Sequence, residues 1–346
     1  MADFKFTLDK IIKLEGGREL LNPTVSFSTY GKLNNSKTNV VWVCHALTGN
    51  SHVFQWWEGL FGFGKVFNER DHFIICANVL GSHYGTTGPL STNPETGKKY
   101  YHDFPLITVR DMVKLHIELA DHIGIEDISV LIGGSMGGHQ ALEWSIMQED
   151  RIKQLVVVAG SARISPWASA FSASQRMAIE MDPTWKNESD DAGIEGMKIA
   201  RSIALLSYRS PRIYAETQAE IDNDQIHAER ANSYQIHQGE KLANRFNAFS
   251  YWYLSKAMDT HNIGRYRSGV KTALQKIKAS VLVISIEDDL LYPKEVQFNL
   301  VKHLKKVYYK IIPSKYGHDG FLIEADTLNK TLGEFLLVVR DLCVRA

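Results

Sequence analysis

The chain has little cysteine. Three cysteines occur among 346 residues, an odd number that cannot all pair within one chain. Cys44 and Cys76 lie in apolar, strand-like runs, and Cys343 lies near the end of the sequence. Secreted domains stabilised by disulfides carry dense, paired cysteines instead. We therefore predict free thiols in a reducing compartment.

An excess of one charge and long apolar runs are also absent. Lys plus Arg and Asp plus Glu each number 39, so charge gives no reason to expect nucleic acid or an anionic membrane as a partner. No apolar run approaches the roughly 20 residues that span a bilayer, and the opening MADFKFT has no signal-like apolar core. The predicted location is the cytoplasm.

Buried strands and helices alternate in the first and last parts of the chain, whereas the middle has no strand-like run. The runs that predict strands are Thr24–Tyr30, Val40–Cys44, Phe73–Ala77, 128–132, 155–159, 281–286 and Val307–Ile312. Alternation of this kind predicts a mainly parallel, doubly wound α/β sheet. We predict one core built from residues 1–161 and 278–346, with a helical lid inserted at 162–277 above the carboxyl ends of the strands.

The segment GGSMG at 133–137 follows a predicted buried strand and precedes a helical pattern. It matches G-x-S-x-G, in which a sharp strand-to-helix turn lifts a serine hydroxyl clear of the sheet and the glycines avoid clashes. A phosphate-binding glycine turn is the alternative, but no Lys follows the last glycine. The sequence therefore predicts Ser135 as a nucleophile.

A serine nucleophile needs a base, and the base needs an orienting acid. On this fold both follow the serine in the order acid, then histidine. The strand at 281–286 runs into Glu287, Asp288 and Asp289, and the strand Val307–Ile312 runs into a loop that contains His318. His318 is the predicted base, while position alone leaves the three acids open.

The tetrahedral oxyanion of acyl transfer needs backbone N–H donors. We predict the N–H of Met136, next to the nucleophile, and the N–H of Leu47, in the loop after Val40–Cys44. His45 precedes the nucleophile in the chain, so we interpret it as a residue that shapes this loop and not as the base.

Several further segments accompany the G-x-S-x-G motif. They are HALTG (45–49), NVLG (78–81), YGTTGP (84–89), NPETG (93–97), DFP (103–105), TVRDM (108–112), GGSMGGHQALEW (133–144) and YGHDGF (316–321). Together they resemble the homoserine O-acetyltransferase family, from about residue 20 to the C-terminus. The resemblance implies an α/β-hydrolase fold with a helical lid, and a homodimer formed through that lid.

The resemblance also implies which acid serves the triad. The family's acidic loop ends in Asp, an aromatic or apolar pair, and Pro, and DLLYP at 289–293 aligns Asp289 with that acid. The approach SIED at 285–288 departs from the family's serine-rich one and leaves Asp288 as a fallback. His139 also departs, since the family often has Met there.

An amino-acid acceptor offers a carboxylate and an ammonium, which an Arg and an acid near the triad would bind. The lid segment ARSIALLSY at 200–208 resembles the family segment whose Arg binds the acceptor carboxylate, which implies this role for Arg201. Asp319 is expected to meet the ammonium or to cap the helix that follows it, and Tyr208 is expected to line the same tunnel.

These features predict an acyltransferase that moves an acetyl group from acetyl-CoA to L-homoserine through an acyl-serine intermediate, in methionine biosynthesis. Acetyl-CoA is a co-substrate, and neither a permanently bound cofactor nor a metal is expected. The alternatives are succinyl-CoA as donor, L-serine as acceptor, a plain serine esterase, or a non-catalytic relative that signals through its lid.

Overall fold

The structure is a computed structural model that describes residues 1–224 and 226–344, with side chains to residue 339, so the predicted free thiol of Cys343 lies outside the described side chains. The strands are β1 (Ala2–Thr7), β2 (Ile11–Lys13), β3 (Glu19–Leu21), β4 (Thr24–Tyr30), β5 (Val40–Cys44), β6 (Phe73–Ala77), β7 (Ile128–Gly134), β8 (Ile152–Val158), β9 (Ser280–Ile286) and β10 (Val307–Ile312). The helices are α1 (Val53–Trp56), α2 (Val109–His122), α3 (Met136–Met147), α4 (Pro166–Glu180), α5 (Ile194–Tyr208), α6 (Pro211–Gln218), α7 (Glu229–Ala243), α8 (Ala248–Asp259), α9 (Val270–Gln275), α10 (Lys294–Val301), α11 (Gly320–Ile323) and α12 (Ala325–Val344).

One large sheet forms the centre of the molecule, with the strand order β1-β4-β6-β5-β7-β8-β9-β10. β4 pairs antiparallel with β1 and β6, and the remaining neighbours are parallel. β2 and β3 form a separate hairpin. The sheet confirms the predicted fold class, whereas β1, β2 and β3 were not predicted.

Helices cover both faces of this sheet. In β5 every residue is buried, and Trp42 contacts Trp144 of α3 edge-on, with ring centroids 4.9 Å apart. Val41 and Val43 belong to the apolar cluster on the other face, which includes Leu332 of α12. Because alternate side chains point to opposite faces, a parallel strand buried on both sides has the continuous apolar sequence seen here.

Local hydrogen bonds define the start of α2 and the end of α10. Thr108 caps α2 with a capping box, since its hydroxyl accepts from Asp111 N and its own N–H donates to the Asp111 carboxylate. α10 ends at Val301, where the chain turns toward β10.

Helices α4 to α9 lie between β8 and β9 in the chain, and apart from one isolated bridge the described residues of this segment form no strand. The predicted domain limits at 161/162 and 277/278 fall in the connections on either side and stay predictions. No helix in the described part of the chain combines the length and the apolar character needed to cross a bilayer.

Candidate active site

Ser135 lies at the turn from β7 into α3, in the strained backbone conformation expected of such a serine. Its φ and ψ are 55° and −124°, a region that non-glycine residues rarely adopt. The two glycines of the motif permit the close packing around it. A Cβ on Gly133 would lie 2.2 Å from Gly137 C, and one on Gly137 would lie 2.0 Å from Cys44 O. The turn thus presents the serine to the cavity in front of it while it packs α3 directly onto β5.

His318 accompanies Ser135 at the carboxyl edge of the sheet. It lies in the short 3₁₀ turn Gly317–Asp319 after β10, and its Nε2 is 2.9 Å from Ser135 Oγ. Its ring lies 5.4 Å, centroid to centroid, from both Tyr292 and Phe321. This packing fixes the ring plane, so that Nε2 faces the serine and Nδ1 faces away from it.

Asp289 is the acid that meets Nδ1 of His318, at 2.8 Å through Oδ2. Its Oδ1 accepts hydrogen bonds from the backbone N–H groups of Leu291 and Tyr292, each at 2.8 Å. The Asp289 side chain is buried, whereas Asp288 is half-buried and Glu287 is exposed. The structure thus brings Asp289 to the histidine and leaves the other two acids outside this hydrogen-bonded chain.

The surroundings of His318 set its affinity for a proton. Burial lowers the pKa of this imidazole, but the charge of the Asp289 carboxylate and its hydrogen bond raise it by more, and Asp319 adds to the increase. The net effect is a pKa above the ordinary value. His318 is therefore arranged to take up a proton from Ser135 while Asp289 stabilises the resulting cation.

The loop after β5 has the features predicted of an oxyanion-binding loop. Residues 46–49 form a turn closed by Gly49 N donating to Ala46 O at 2.9 Å. His45 Nε2 accepts from Val79 N at 3.1 Å, so its Nδ1 carries the proton and donates to Ala46 O at 2.8 Å. Because burial lowers the pKa of His45 to about 4, this histidine stays neutral and has the loop-shaping position that we predicted.

Two backbone N–H groups remain available near Ser135. Within the described residues, neither Leu47 N nor Met136 N donates to a protein acceptor, and Leu47 lines the cavity into which Ser135 opens. Met136 is the first residue of α3, so the positive end of the helix dipole adds to its N–H. Both predicted donors are thus placed at the edge of the sheet where charge would develop.

The cavity in front of Ser135 has a volume of about 580 Å³. Its lining includes the predicted residues Leu47, Ser135, Arg201, Tyr208, His318 and Asp319, together with Arg209, Lys241 and Arg245. A wider, open concavity of about 980 Å³ lies near Arg151, at the amino ends of β7 and β8. Ligands of α/β sheets bind at the carboxyl ends, so the smaller cavity is the candidate site.

Arg201 and Asp319 contribute opposite charges to this cavity. The Arg201 guanidinium lies 5.4 Å from the centre of the Tyr208 ring, and no carboxylate lies within 4.0 Å of it in the described side chains. Asp319 Oδ2 lies 3.0 Å from Arg209 Nε. The Asp319 side chain makes no hydrogen bond to the first turn of α11, so the alternative role as a helix cap is wrong.

Sequence reasoning missed two arginines of this cavity, Arg209 and Arg245. Arg209 pairs with Asp319, and Arg245 donates to the backbone of Thr48 at 2.8 Å. Arg209 directly follows the lid segment that pointed to Arg201, which was the one available signal for it. Nothing in the local pattern distinguishes Arg245 from other charged residues of the lid. No group of His, Cys, Asp and Glu side chains suited to a metal occurs among the residues that the structure describes.

Comparison with known proteins gives the class first. A family profile described as the alpha/beta hydrolase fold matches residues 39–325, which is most of the chain. The structure of esterase E22 superimposes with a TM-score of 0.88 over 97% of this chain and 99% of that one, at 24% identity, a likeness of fold alone. The chain is therefore an α/β-hydrolase-fold protein.

Closer relatives define the family. Homoserine O-acetyltransferase of Cyclobacterium marinum is 46% identical over 332 residues, which cover 96% of this chain and 94% of that protein. The crystal structure of homoserine O-acetyltransferase from Bacillus anthracis matches with a TM-score of 0.89 and 27% identity, covering 97% of both chains. The chain belongs to the homoserine O-acetyltransferase family of enzymes, which confirms the resemblance drawn from its motifs.

Proposed function

We propose that this enzyme transfers an acetyl group from acetyl-CoA to the hydroxyl of L-homoserine, and that Ser135 carries the acetyl group between the two. One observation above all supports the proposal. The hydrogen-bonded chain Asp289–His318–Ser135 opens into a cavity that also holds the cation Arg201 and the carboxylate Asp319. Such a cavity has a reactive hydroxyl at its base and complementary charges for an amino acid around it.

In the first step Ser135 Oγ attacks the thioester carbonyl carbon as His318 Nε2 takes the serine proton. The tetrahedral oxyanion accepts hydrogen bonds from the N–H groups of Leu47 and Met136. The C–S bond then breaks, the proton passes from His318 to the departing sulfur, and free coenzyme A leaves. An acetyl ester on Ser135 remains.

In the second step the homoserine hydroxyl occupies the position that the coenzyme A sulfur has left. His318 takes its proton, the hydroxyl oxygen attacks the ester carbonyl, and the same N–H groups hold the second oxyanion. Ser135 Oγ leaves and recovers its proton from His318. Throughout both steps Asp289 keeps the proton of the neutral imidazole on Nδ1 and stabilises the charged form. The product is an O-acetyl-homoserine, an activated intermediate for methionine synthesis.

Choice of the acceptor would depend on the two charged groups in the cavity. Arg201 is available for the homoserine carboxylate, for which a guanidinium offers paired N–H donors. Asp319 Oδ2 faces Arg209, while Oδ1 accepts no hydrogen bond from the described residues and can receive the ammonium group. Arg209 would then hold the carboxylate in place, and Tyr208 would form part of the wall beside Arg201.

Acetyl is the donor group that we propose. A succinyl donor would add a carboxylate, which needs an unpaired cation near the acyl end of the cavity. Of the cavity's other cations, Arg209 is paired with Asp319 and Arg245 donates to Thr48 and Tyr84, whereas Lys241 has no partner among the described side chains. The choice of acetyl is therefore supported by the relatives named homoserine O-acetyltransferase and not by the charges of the cavity. Succinyl transfer, serine as acceptor, and simple ester hydrolysis remain the competing reactions.

We further propose that two copies of the chain associate through the lid, in the cytoplasm and without nucleic acid, membrane or permanently bound cofactor. On α5, Ile199 and Leu206 are seven residues apart and therefore on one face, and both are exposed. Ile236 of α7 is exposed as well and lines a shallow cavity with Ile199. Exposed apolar groups concentrated in this way favour a protein–protein contact.

A competition assay tests the proposed reaction. The purified enzyme receives acetyl-CoA and succinyl-CoA together with homoserine and serine, and mass spectrometry identifies the products, with Ser135→Ala as the control. We expect O-acetyl-homoserine to dominate and to disappear in the control. Acylated serine or succinylated homoserine as the main product would change the substrate, and free acid without any acylated amino acid would make the protein a hydrolase.

A further inference from the structure

Arg245 joins the lid to the loop that carries Leu47. It lies in the connection between α7 and α8, and its Nη1 donates to Thr48 O and to the Tyr84 hydroxyl, each at 2.8 Å. Its Nη2 lies 3.3 Å from Thr48 Oγ1. The Tyr84 hydroxyl in turn donates to the carbonyl of Arg245 at 3.1 Å, which completes a closed ring of hydrogen bonds.

The turn at 46–49 is held differently on its two sides. On the side of the core, the carbonyl of Ala46 accepts from His45 Nδ1, and Gln140 Nε2 donates to the carbonyl of His45 at 3.1 Å. On the other side, the Thr48 carbonyl and hydroxyl both accept from Arg245. Leu47 lies between the two attachments. The chain after the turn is held by the core again, since Ser51 N donates to Asn78 Oδ1 and Trp56 Nε1 donates to Asn50 O. Arg245 therefore adds an attachment from the lid at Thr48, next to Leu47.

We infer that Arg245 is a positioning residue, which orients the Leu47 N–H toward the oxyanion and makes acyl transfer depend on the docked lid. The inference rests on the proposed acyl-enzyme chemistry. Its physical basis is that an N–H donor stabilises an oxyanion only when it is held in place before the reaction, since reorientation costs free energy at the transition state. A planar guanidinium can hold the carbonyl and the hydroxyl of Thr48 together, whereas an ammonium is a single point of charge.

Two roles of Arg245 can be distinguished, one through its hydrogen bonds to the turn and one through its positive charge. Lys241 lines the same cavity and is also cationic, but it makes no hydrogen bond or ion pair to any side chain that the structure describes. If Arg245 acted only as a positive charge, Arg245→Lys would preserve its effect and Lys241→Met would reproduce its loss. If it acts by holding the turn, only changes at Arg245 should matter.

The experiment uses the full-length enzyme and p-nitrophenyl acetate, an ester that acylates an active serine without coenzyme A or homoserine. The rate of the nitrophenolate burst is measured for the wild type and for Arg245→Lys, Arg245→Met, Lys241→Met and Ser135→Ala. Inhibition by a simple alkyl boronic acid, whose tetrahedral adduct on the serine occupies the oxyanion position, is measured in parallel. Thermal melting checks that each variant is folded.

We expect both Arg245 variants to slow the burst about tenfold to a hundredfold. This decrease in rate is no larger than the smallest decrease expected when an oxyanion donor is removed, because the variants displace the donor and do not delete it. Boronate binding should weaken by a similar factor, because the adduct resembles the transition state. Lys241→Met should stay within about twofold of the wild type. A wild-type burst rate in Arg245→Lys would overturn the inference, and so would a burst rate in Lys241→Met as low as in the Arg245 variants. Slower acylation of the Arg245 variants with unchanged boronate binding would overturn it as well. If the wild type itself gives no burst beyond that of Ser135→Ala, the proposed function fails instead.

Discussion

Replacing Asp289 by Asn tests the acid in the proposed mechanism. Asn has nearly the same shape, and its amide oxygen can still accept from the N–H groups of Leu291 and Tyr292, as Asp289 Oδ1 does. Its NH₂ group would then face Nδ1 of His318, where Oδ2 now lies at 2.8 Å. Because this NH₂ only donates, the imidazole would carry its proton on Nε2 and could not accept the proton of Ser135.

The surrounding backbone also disfavours the flipped orientation of this amide, in which its oxygen would face His318. Rotating the amide by half a turn would aim its NH₂ at two backbone N–H groups and lose two hydrogen bonds, each worth about 0.5–1.5 kcal/mol. We therefore expect kcat to fall by about 10⁴, as for the same change in another Ser-His-Asp triad, which corresponds to about 5.4 kcal/mol of transition-state stabilisation. The melting temperature should change little.

The assay follows thiol release from acetyl-CoA in the presence of homoserine, with Asp288→Asn as the matched control. The control should keep kcat within about twofold, since Asp288 lies outside the hydrogen-bonded chain. The acidic limb of the pH profile gives a second measurement. The Asp289 charge raises the pKa of His318 against the effect of burial, so the limb should move to lower pH in Asp289→Asn. A loss under tenfold, or an equal loss in Asp288→Asn, would refute the assignment.

Three other changes test the cavity, the turn and the core. Arg201→Gln should raise the KM for homoserine about tenfold to a hundredfold, the effect of one lost charged hydrogen bond, while the rate of p-nitrophenyl acetate cleavage stays unchanged. Steady-state kinetics with each substrate measure both quantities. An unaltered KM would show that Arg201 does not bind the acceptor. Gly137→Ala should destabilise the fold by about 1–3 kcal/mol or more in urea unfolding, because its Cβ would meet Cys44 O. Gly333→Ala is the control and should be neutral or stabilising, because the space around Gly333 is open. Equal effects of the two changes on the free energy of unfolding would contradict the packing argument. His116→Phe should be stabilising near neutral pH, because both buried ring nitrogens lack partners in the described structure. Burial lowers the pKa of His116 to about 3, so between pH 7 and 5 the unfolded chain gains a proton that the folded chain does not. Over this range the free energy of unfolding of the wild type should fall by about 2 kcal/mol more than that of the variant. The same pH dependence in both proteins would show that His116 is not buried in its neutral form.

The sequence predicted the strands that have an apolar run or an alternating pattern and missed those that have neither. β5 and β6 have the predicted ends because they are continuous, buried apolar runs, and β10 also has the predicted ends although Lys310 and Ile311 are exposed. In β1, five of the six residues are exposed, so its sequence ADFKFT has little apolar pattern. This strand is defined by its pairing with β4, a contact between segments that local patterns do not record.

The same distinction applies to the candidate site. Ser135 and His318 could be predicted because each occupies a fixed place after a strand, and the family resemblance then selected Asp289. The pairing of Arg209 with Asp319 and the hold of Arg245 on Thr48 join the lid to loops of the core across the fold. Such contacts depend on how the lid docks, which neither residue spacing nor composition determines.

This division suggests which part of the molecule selects the reaction. Ser135, His318 and Asp289 lie in loops at the ends of core strands and are buried. The cavity's arginines Arg201, Arg209 and Arg245 come instead from the helical segment between β8 and β9. If the core supplies the reacting groups and Arg201 of the lid binds the acceptor, loss of Arg201 should leave an enzyme that still forms the acyl-serine but passes it to water. Loss of Arg245 should slow the formation of that intermediate, because this arginine is the one of the three that donates to Thr48, in the turn that carries Leu47.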